Sequence, residues 1–228
     1  EYLLKDKDFF AIFHEQGLGK TKIAIDLAFY WLEKNHVDSV LICTKKNLIK
    51  NWEDELNFHG NVSPLILTSN KSTNSQKLGL PGSIYLCNYE LIRDHIEIYE
   101  TFFELRKVGV ILDESTQIKN PSSKTAKSFH RLAKVSKKKI IMTGTPISHR
   151  PYDIWSQIYF LDDGERLGKT FDDFKEKYDL SNDLNNDRSG QIILKNNLEL
   201  LSAKIRDCSV RETKKTAGIE LPNKRFIV

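Results

Sequence analysis

Eight consecutive residues, His14-Glu15-Gln16-Gly17-Leu18-Gly19-Lys20-Thr21, stand between an apolar run at Phe9–Phe13 and a stretch of helical periodicity. Glycines at 17 and 19 permit the tight turn and close backbone approach by which successive N–H groups, with the positive end of the following helix, surround a phosphate. In such a loop Lys20 reaches the outer phosphates and Thr21 ligates Mg²⁺. The contacting set is Gln16, Gly17, Leu18, Gly19, Lys20 and Thr21. His14 stands where the full GxxxxGK[ST] form has its first glycine.

Two further groups add chemistry. Asp113-Glu114 ends the apolar run Val108–Leu112, and acids at a strand's C-terminal end sit where open α/β sheets bind ligands. An adjacent acid pair also caps helices. In a nucleotide site, Asp113 holds the metal through its coordination shell and Glu114 activates the attacking water. Thr143-Gly144-Thr145-Pro146 follows another apolar run; its glycine and proline suit a β-turn, and its hydroxyls suit contact with carboxylates and moving backbone.

The elements that position these residues read as strands alternating with helices. Strands are expected at Phe9–Phe13, Ser39–Cys43, Leu65–Thr68, Ser83–Cys87, Val108–Leu112 and Lys139–Met142. Such short Ile, Val, Leu and aromatic runs suit a parallel sheet buried on both faces. Ile23, Ala24, Leu27 and Trp31 fall on one helical stripe, and Leu48, Ile49, Trp52 and Leu56 on the next, with both tryptophans read as core. After Phe160 the chain becomes polar and turn-rich, then helical through Leu198, Leu201 and Ile205, and its final apolar run RFIV is expected to open another strand.

Composition bounds the class. The 228 residues are 39% hydrophobic and 29% charged, which fits a folded body and not a disordered chain. Net charge is only +4, so local clusters carry more meaning than the total. Lys45, Lys46 and Lys50 form one cluster and Lys134, Lys137, Lys138 and Lys139 another; each can meet phosphates or remain a solvated face. Cys43, Cys87 and Cys208 are widely spaced, odd in number and lack a CxxC, so neither a disulfide frame nor a zinc site is expected. No run approaches the ~20 apolar residues of a membrane span. Free thiols in a reducing compartment make the expected location intracellular, cytoplasmic or nuclear according to the cell.

Three segments resemble one family. HEQGLGKT resembles DExGxGKT, the first motif of the Swi/Snf-type DNA-dependent ATPases of helicase superfamily two, with His14 replacing aspartate. VILDESTQIKNPSSKTAK resembles VILDEAHRIKNxxSK, with Ser115, Thr116 and Gln117 replacing Ala, His and Arg. KKIIMTGTPISHRPYDIWSQIYFL resembles LTGTPIxNxxxELWSLxxFL. Two weaker stretches also fit: LICTKKNLIKNWEDEL resembles VxPxxLxxNWxxE, with Thr44 in place of proline, and SIYLCNYELIRD resembles a segment ending in a TYE-like turn. RETKKTAGIELPNK is similar to the family's bridge between its two motor lobes.

The resemblance implies an α/β fold, a RecA-like lobe over residues 1–160 with a mainly parallel sheet, followed by a mostly helical appendage and bridge over 161–228 toward a second lobe that does not follow in this sequence. It implies ATP and Mg²⁺ as cofactors, with Lys20, Asp113 and Glu114 catalytic and Thr21 and Asp113 at the metal. Thr143, Gly144 and Thr145 would couple nucleotide state to motion. The expected partner is double-stranded DNA, bound without sequence preference and weakly by one lobe, through Lys45, Lys46, Asn88, Tyr89, Ser123 and Lys124; Tyr89 is equally readable as core. The implied function is duplex-DNA translocation in remodelling, repair or defence. Two alternatives stay open, a strand-separating helicase of the same superfamily and a nucleotide-gated binding module without turnover. TGTP with DES, instead of SAT with DEAD, argues against an RNA helicase.

Overall fold

The computed structural model describes residues 6–80, 84–147, 151–181, 185 and 188–218. Ser83, at the expected start of one strand, and the terminal RFIV run lie outside the described residues.

Each expected apolar run forms a strand: β1 (Phe9–Ile12), β2 (Ser39–Thr44), β3 (Leu65–Ile66), β4 (Ile84–Asn88), β5 (Val108–Asp113) and β6 (Lys138–Met142). The described residues add one strand that periodicity did not predict, β7 (Ser209–Val210). The seven strands form one sheet in the order β3-β4-β2-β5-β6-β1-β7, with every pairing parallel. Parallel neighbours require crossovers, and helices supply them: α1 (Lys20–Glu33), α2 (Ile49–Gly60), α3 (Lys71–Gly79), α4 (Tyr89–Asp94), α5 (Ile96–Leu105), α6 (Lys124–Val135), α7 (Asp153–Asp162), α8 (Phe171–Lys177) and α9 (Arg188–Ile205).

Helices cover both faces, which is why β2 and β5 are buried at all six of their positions. Alternating residues divide between two cores. On one face Ile12, Ile42, Ile111 and Met142 meet Ala24, Leu27 and Trp31 of α1 and Trp52 and Leu56 of α2. On the other, Ala11, Cys43, Leu112 and Ile141 meet Tyr89, Phe102, Phe129 and Ile158 from the helices that follow β4. Gly109 of β5 is the point of closest approach. A Cβ there would lie 3.0 Å from the Trp31 ring, so bare backbone lets the indole lie on the strand.

Arg166 ties the end of α7 to the segment that precedes β7. Its guanidinium donates to Asp162 at the end of α7 (3.1 Å) and to Asp207 just before β7 (3.1 and 2.6 Å). The three cysteines are free and buried, as the spacing argument expects. Among the described residues no helix is long and apolar enough to cross a membrane.

The second lysine cluster divides: Lys134 and Lys137 are exposed, whereas Lys138 and Lys139 are built into the fold. Lys138 and Lys139 open β6 at the N-terminal edge of the sheet, away from the glycine loop. Lys138 is 8% exposed and donates to Asp8 (2.9 Å) and to the Lys7 carbonyl (3.1 Å). Burial lowers the pKa of Lys139, opposed by Asp162, Asp163, Asp8 and Glu165.

Candidate nucleotide site

In a parallel sheet every strand delivers its C-terminal end to the same edge. The glycine loop follows β1, the acid pair ends β5, and the Thr143–Pro146 turn follows β6, which lies between those two strands. Three segments far apart in sequence are thereby brought together. Register tightens this arrangement: Asp113 is the partner of Met142, one residue before Thr143, and Ile12 pairs with the same Met142 from the other side.

The loop turns through left-handed backbone at Gly17 (φ 85°) and Gly19 (φ 73°). At either glycine an added Cβ would meet nothing within 4 Å, so the requirement for glycine there is conformational and not steric. Helix α1 starts at Lys20, with Gly19 as N-cap and no side chain capping its amides, which leaves those donors for a ligand. The Lys20 amine folds back onto the carbonyls of His14 (2.9 Å) and Glu15 (3.2 Å). A Cβ on Gly144 would stand 3.5 Å from both the Gln16 amide nitrogen and the His14 carbonyl oxygen; the turn after β6 packs directly on the loop. Thr143 is fully buried, donates its N–H to the Ile12 carbonyl (3.2 Å) and accepts from the Thr145 N–H at its hydroxyl (3.2 Å).

Asp113 is 8% exposed and held from three directions. Its Oδ2 accepts from the Thr44 hydroxyl (3.0 Å) and the Trp52 indole N–H (2.8 Å), and its backbone carbonyl accepts from the Tyr89 hydroxyl (2.7 Å). Both side-chain donors use the same oxygen, leaving Oδ1 as the second acceptor. Glu114 follows in a left-handed conformation, φ 53° and ψ 54°. For a residue with a Cβ this costs on the order of 1–2 kcal/mol, and strain of this kind collects at functional sites. The glycine cradle, an uncapped helix start, a lysine and a positioned carboxylate are the donor and acceptor set that Mg²⁺ and a nucleotide triphosphate require; Thr21 and Asp113 would hold the metal.

The nucleic-acid candidates divide. Lys45 and Lys46 follow β2, Asn88 ends β4 beside Thr44, and Lys124 is exposed at the start of α6. All sit toward the loop edge of the sheet. Ser123 caps α6, its hydroxyl accepting from the Ala126 N–H (3.1 Å) and donating to the Asn120 carbonyl (2.8 Å). Tyr89 is a correction. It is 2% exposed and packed against Phe129, and burial raises the pKa of its hydroxyl well above the ordinary value, keeping it a donor to Asp113. It buttresses the acid-bearing strand from within the core and offers no surface for a contact.

Sequence reasoning missed three contributors. Trp52 was read only as core, yet it holds Asp113; Thr44, noted as a departure from proline, does the same. Gln157 is fully buried, accepting from Ser115 and donating to the Pro146 carbonyl (2.8 Å) and the Asp153 carbonyl (3.0 Å). Its signal was present: a polar residue where the resembled pattern carries leucine, together with serine at 115 in place of alanine.

The fold is that of a RecA-like α/β lobe. A family model, the SNF2-related domain, matches residues 10–228, and the chain belongs to that family. It is similar to the zebrafish DNA excision repair protein ERCC-6-like, 28% identical over 177 residues, covering 72% of this chain and 12% of that protein. It is also similar to the human DNA repair and recombination protein RAD54-like, 26% identical over 232 residues, covering 92% of this chain and 30% of that one. The chain thus spans less than a third of the length of these relatives. Among solved structures, the Sulfolobus solfataricus SWI2/SNF2 ATPase core domain superposes with a TM-score of 0.74 at 27% identity, covering 96% of this chain and 42% of that one. The same core in complex with double-stranded DNA gives 0.73 at 24% identity, covering 96% and 43%.

Proposed function

We propose that this chain is the ATP-binding lobe of a DNA-dependent ATPase that translocates along double-stranded DNA and acts inside the cell in remodelling, repair or defence. The observation that carries the reading is the placement of β6 between β1 and β5, which seats the Thr143–Pro146 turn between the glycine loop and the acid pair. A change at either group meets the same turn.

Each residue then has a distinct task. Loop amides 16–21 and the start of α1 bind phosphate oxygens. Lys20 leaves the His14 and Glu15 carbonyls to neutralise the outer phosphates. Thr21 and Asp113 orient the metal, and Thr44 and Trp52 keep the Asp113 carboxylate from rotating. When bound, Mg²⁺ would offset the negative charge of the phosphates. Glu114 takes a proton from the attacking water. A second RecA-like lobe in the parent protein would complete the site, and the exposed lysines at the loop edge would contact the duplex backbone. Family membership and the DNA-repair relatives support this reading; strand separation is not implied.

The test uses two variants. Lys20→Ala is expected to weaken ATP binding, whereas Glu114→Gln in the parent protein keeps binding and stops DNA-stimulated hydrolysis. Full hydrolysis by Glu114→Gln would remove that residue from its role. Binding without turnover in the unaltered parent would favour a nucleotide-gated binding module instead.

A further inference from the structure

Residues 210–214 are fastened to the end of β1 and the start of the glycine loop by four hydrogen bonds. Phe13 N–H donates to the Val210 carbonyl (2.8 Å) and Glu15 N–H to the Glu212 carbonyl (2.9 Å). In return, Glu212 N–H donates to His14 Nδ1 (3.0 Å) and Lys214 N–H to Glu15 Oε2 (2.8 Å). The first extends the β1–β7 ladder; the others depend on the two residues that open the loop. The held segment is internally braced: the Thr213 and Thr216 hydroxyls each accept the other residue's N–H (3.1 and 2.8 Å), and the Thr216 hydroxyl donates to Glu212 Oε2 (2.7 Å). It can therefore move as a unit.

His14 and Glu15 carry a second load. Their carbonyls are the acceptors on which the Lys20 amine rests. Side chains of these two residues grip residues 212–214 while their peptide groups grip the lysine that must move when phosphate arrives. We propose that His14 and Glu15 are positioning residues that clasp residues 210–214 to the phosphate loop, so that Lys20's departure toward phosphate loosens the outgoing segment, and that the clasp requires a neutral His14.

The second half follows from hydrogen-bond chemistry. Nδ1 accepts from Glu212 N–H, so the ring carries its proton on Nε2; adding a proton turns Nδ1 into a donor facing a donor. An aspartate at this position would accept across the same pH range, but an imidazole accepts only while uncharged. The charged groups acting on the ring are Glu212 from the outgoing segment and Lys20 from α1, with the Glu15 carboxylate engaged by Lys214 N–H; the turn at 143–145 brings no charge. Burial is the largest influence and lowers the His14 pKa, Glu212 opposing it and Lys20 adding to it. The clasp is thus closed at neutral pH and opens as pH falls below the ordinary histidine range.

The link to phosphate rests on the nucleotide reading above; the clasp itself does not. Hydrogen exchange of the Glu212 and Lys214 amides, corrected for intrinsic rates, tests both in the whole 228-residue chain. Between pH 7.5 and 5, protection at these amides is expected to fall roughly five- to tenfold, the equivalent of one lost hydrogen bond. His14→Asn, which accepts at every pH, should hold its protection within about twofold, and His14→Leu should be weakly protected throughout. Equal pH dependence in the unaltered chain and His14→Asn, or full protection in His14→Leu, overturns the clasp. Saturating Mg·ATP at pH 7.5 should lower the same protection. Measured binding with unchanged protection overturns the coupling and spares the nucleotide reading; absence of binding both here and in the parent protein refutes that reading and the coupling with it, while the pH arm still decides the clasp.

Discussion

Ser115 Oγ donates a 2.7 Å hydrogen bond to Gln157 Oε1, and both residues are fully buried. Ser115 follows the acid pair, while Gln157 lies on α7 and passes its own N–H to the carbonyl of Pro146 in the turn after β6. A nearby Ser156 hydroxyl donates to the Ile118 carbonyl, and His130 Nε2 lies 3.0 Å from the Ser156 carbonyl. The acid-pair loop and the Thr143–Pro146 turn are therefore joined through α7 as well as through neighbouring strands.

This pair predicts a non-additive cycle. Ser115→Ala strands Gln157 Oε1, and Gln157→Leu strands both the Ser115 hydroxyl and the Pro146 carbonyl; each single change is expected to cost about 1–3 kcal/mol. The double variant replaces both polar partners and should cost less than the sum of the singles. Urea unfolding of the four proteins measures it. Additivity within about 0.5 kcal/mol would mean that the contact contributes nothing of its own.

Trp52 and Thr44 predict a metal effect from residues that do not touch metal. Trp52→Phe keeps the ring in the core and removes one donor to Asp113 Oδ2. A carboxylate freed to rotate orients metal less well, so nucleotide affinity should fall with Mg²⁺ present and stay nearly constant with EDTA. Equal losses in both conditions would reduce Trp52 to a packing residue.

Turnover by these 228 residues alone is expected to be negligible, even with DNA. The loop amides, Lys20, Asp113 and Glu114 all stand at the C-terminal edge of one sheet. Of the two arginines that could stand in for one from a facing lobe, Arg150 lies outside the described residues and Arg211 lies in the segment held beside β1. An arginine supplied from a facing lobe is worth roughly 10³–10⁵ in rate, or about 4–7 kcal/mol of barrier. The comparison is DNA-stimulated ATPase of this chain beside the parent protein, with Glu114→Gln as background. Rates within tenfold of each other would show that one lobe suffices.

DNA binding is expected to be weak, indifferent to sequence and sensitive to salt, because the available contacts are lysines and loop backbone. Lys45→Ala, Lys46→Ala and Lys124→Ala should each reduce the slope of log affinity against log salt by about one, whereas Lys138→Ala, on the far edge and paired to Asp8, should leave it unchanged. Fluorescence titration of random and fixed duplexes from 50 to about 200 mM salt decides; a strong preference for one duplex at every salt would sink the prediction.

Local order along the chain was enough to identify the glycine loop, the acid pair, the six main strands and the family, because each is written in contiguous residues. Glycines at 17 and 19 declare a left-handed turn, and buried parallel strands declare themselves as unbroken apolar runs. What contiguous residues cannot carry is which distant side chains end as neighbours. Trp52 and Asp113 are 61 residues apart, and His14 and Glu212 are 198 apart; their contacts exist only because the strand order places β2 beside β5 and β7 beside β1. The same ordering turned Tyr89 inward and left Lys138 on the far edge. Residue type alone permitted the opposite for both, since a tyrosine suits a core or a surface and a lysine is buried only where tertiary structure supplies partners such as Asp8 and the Lys7 carbonyl.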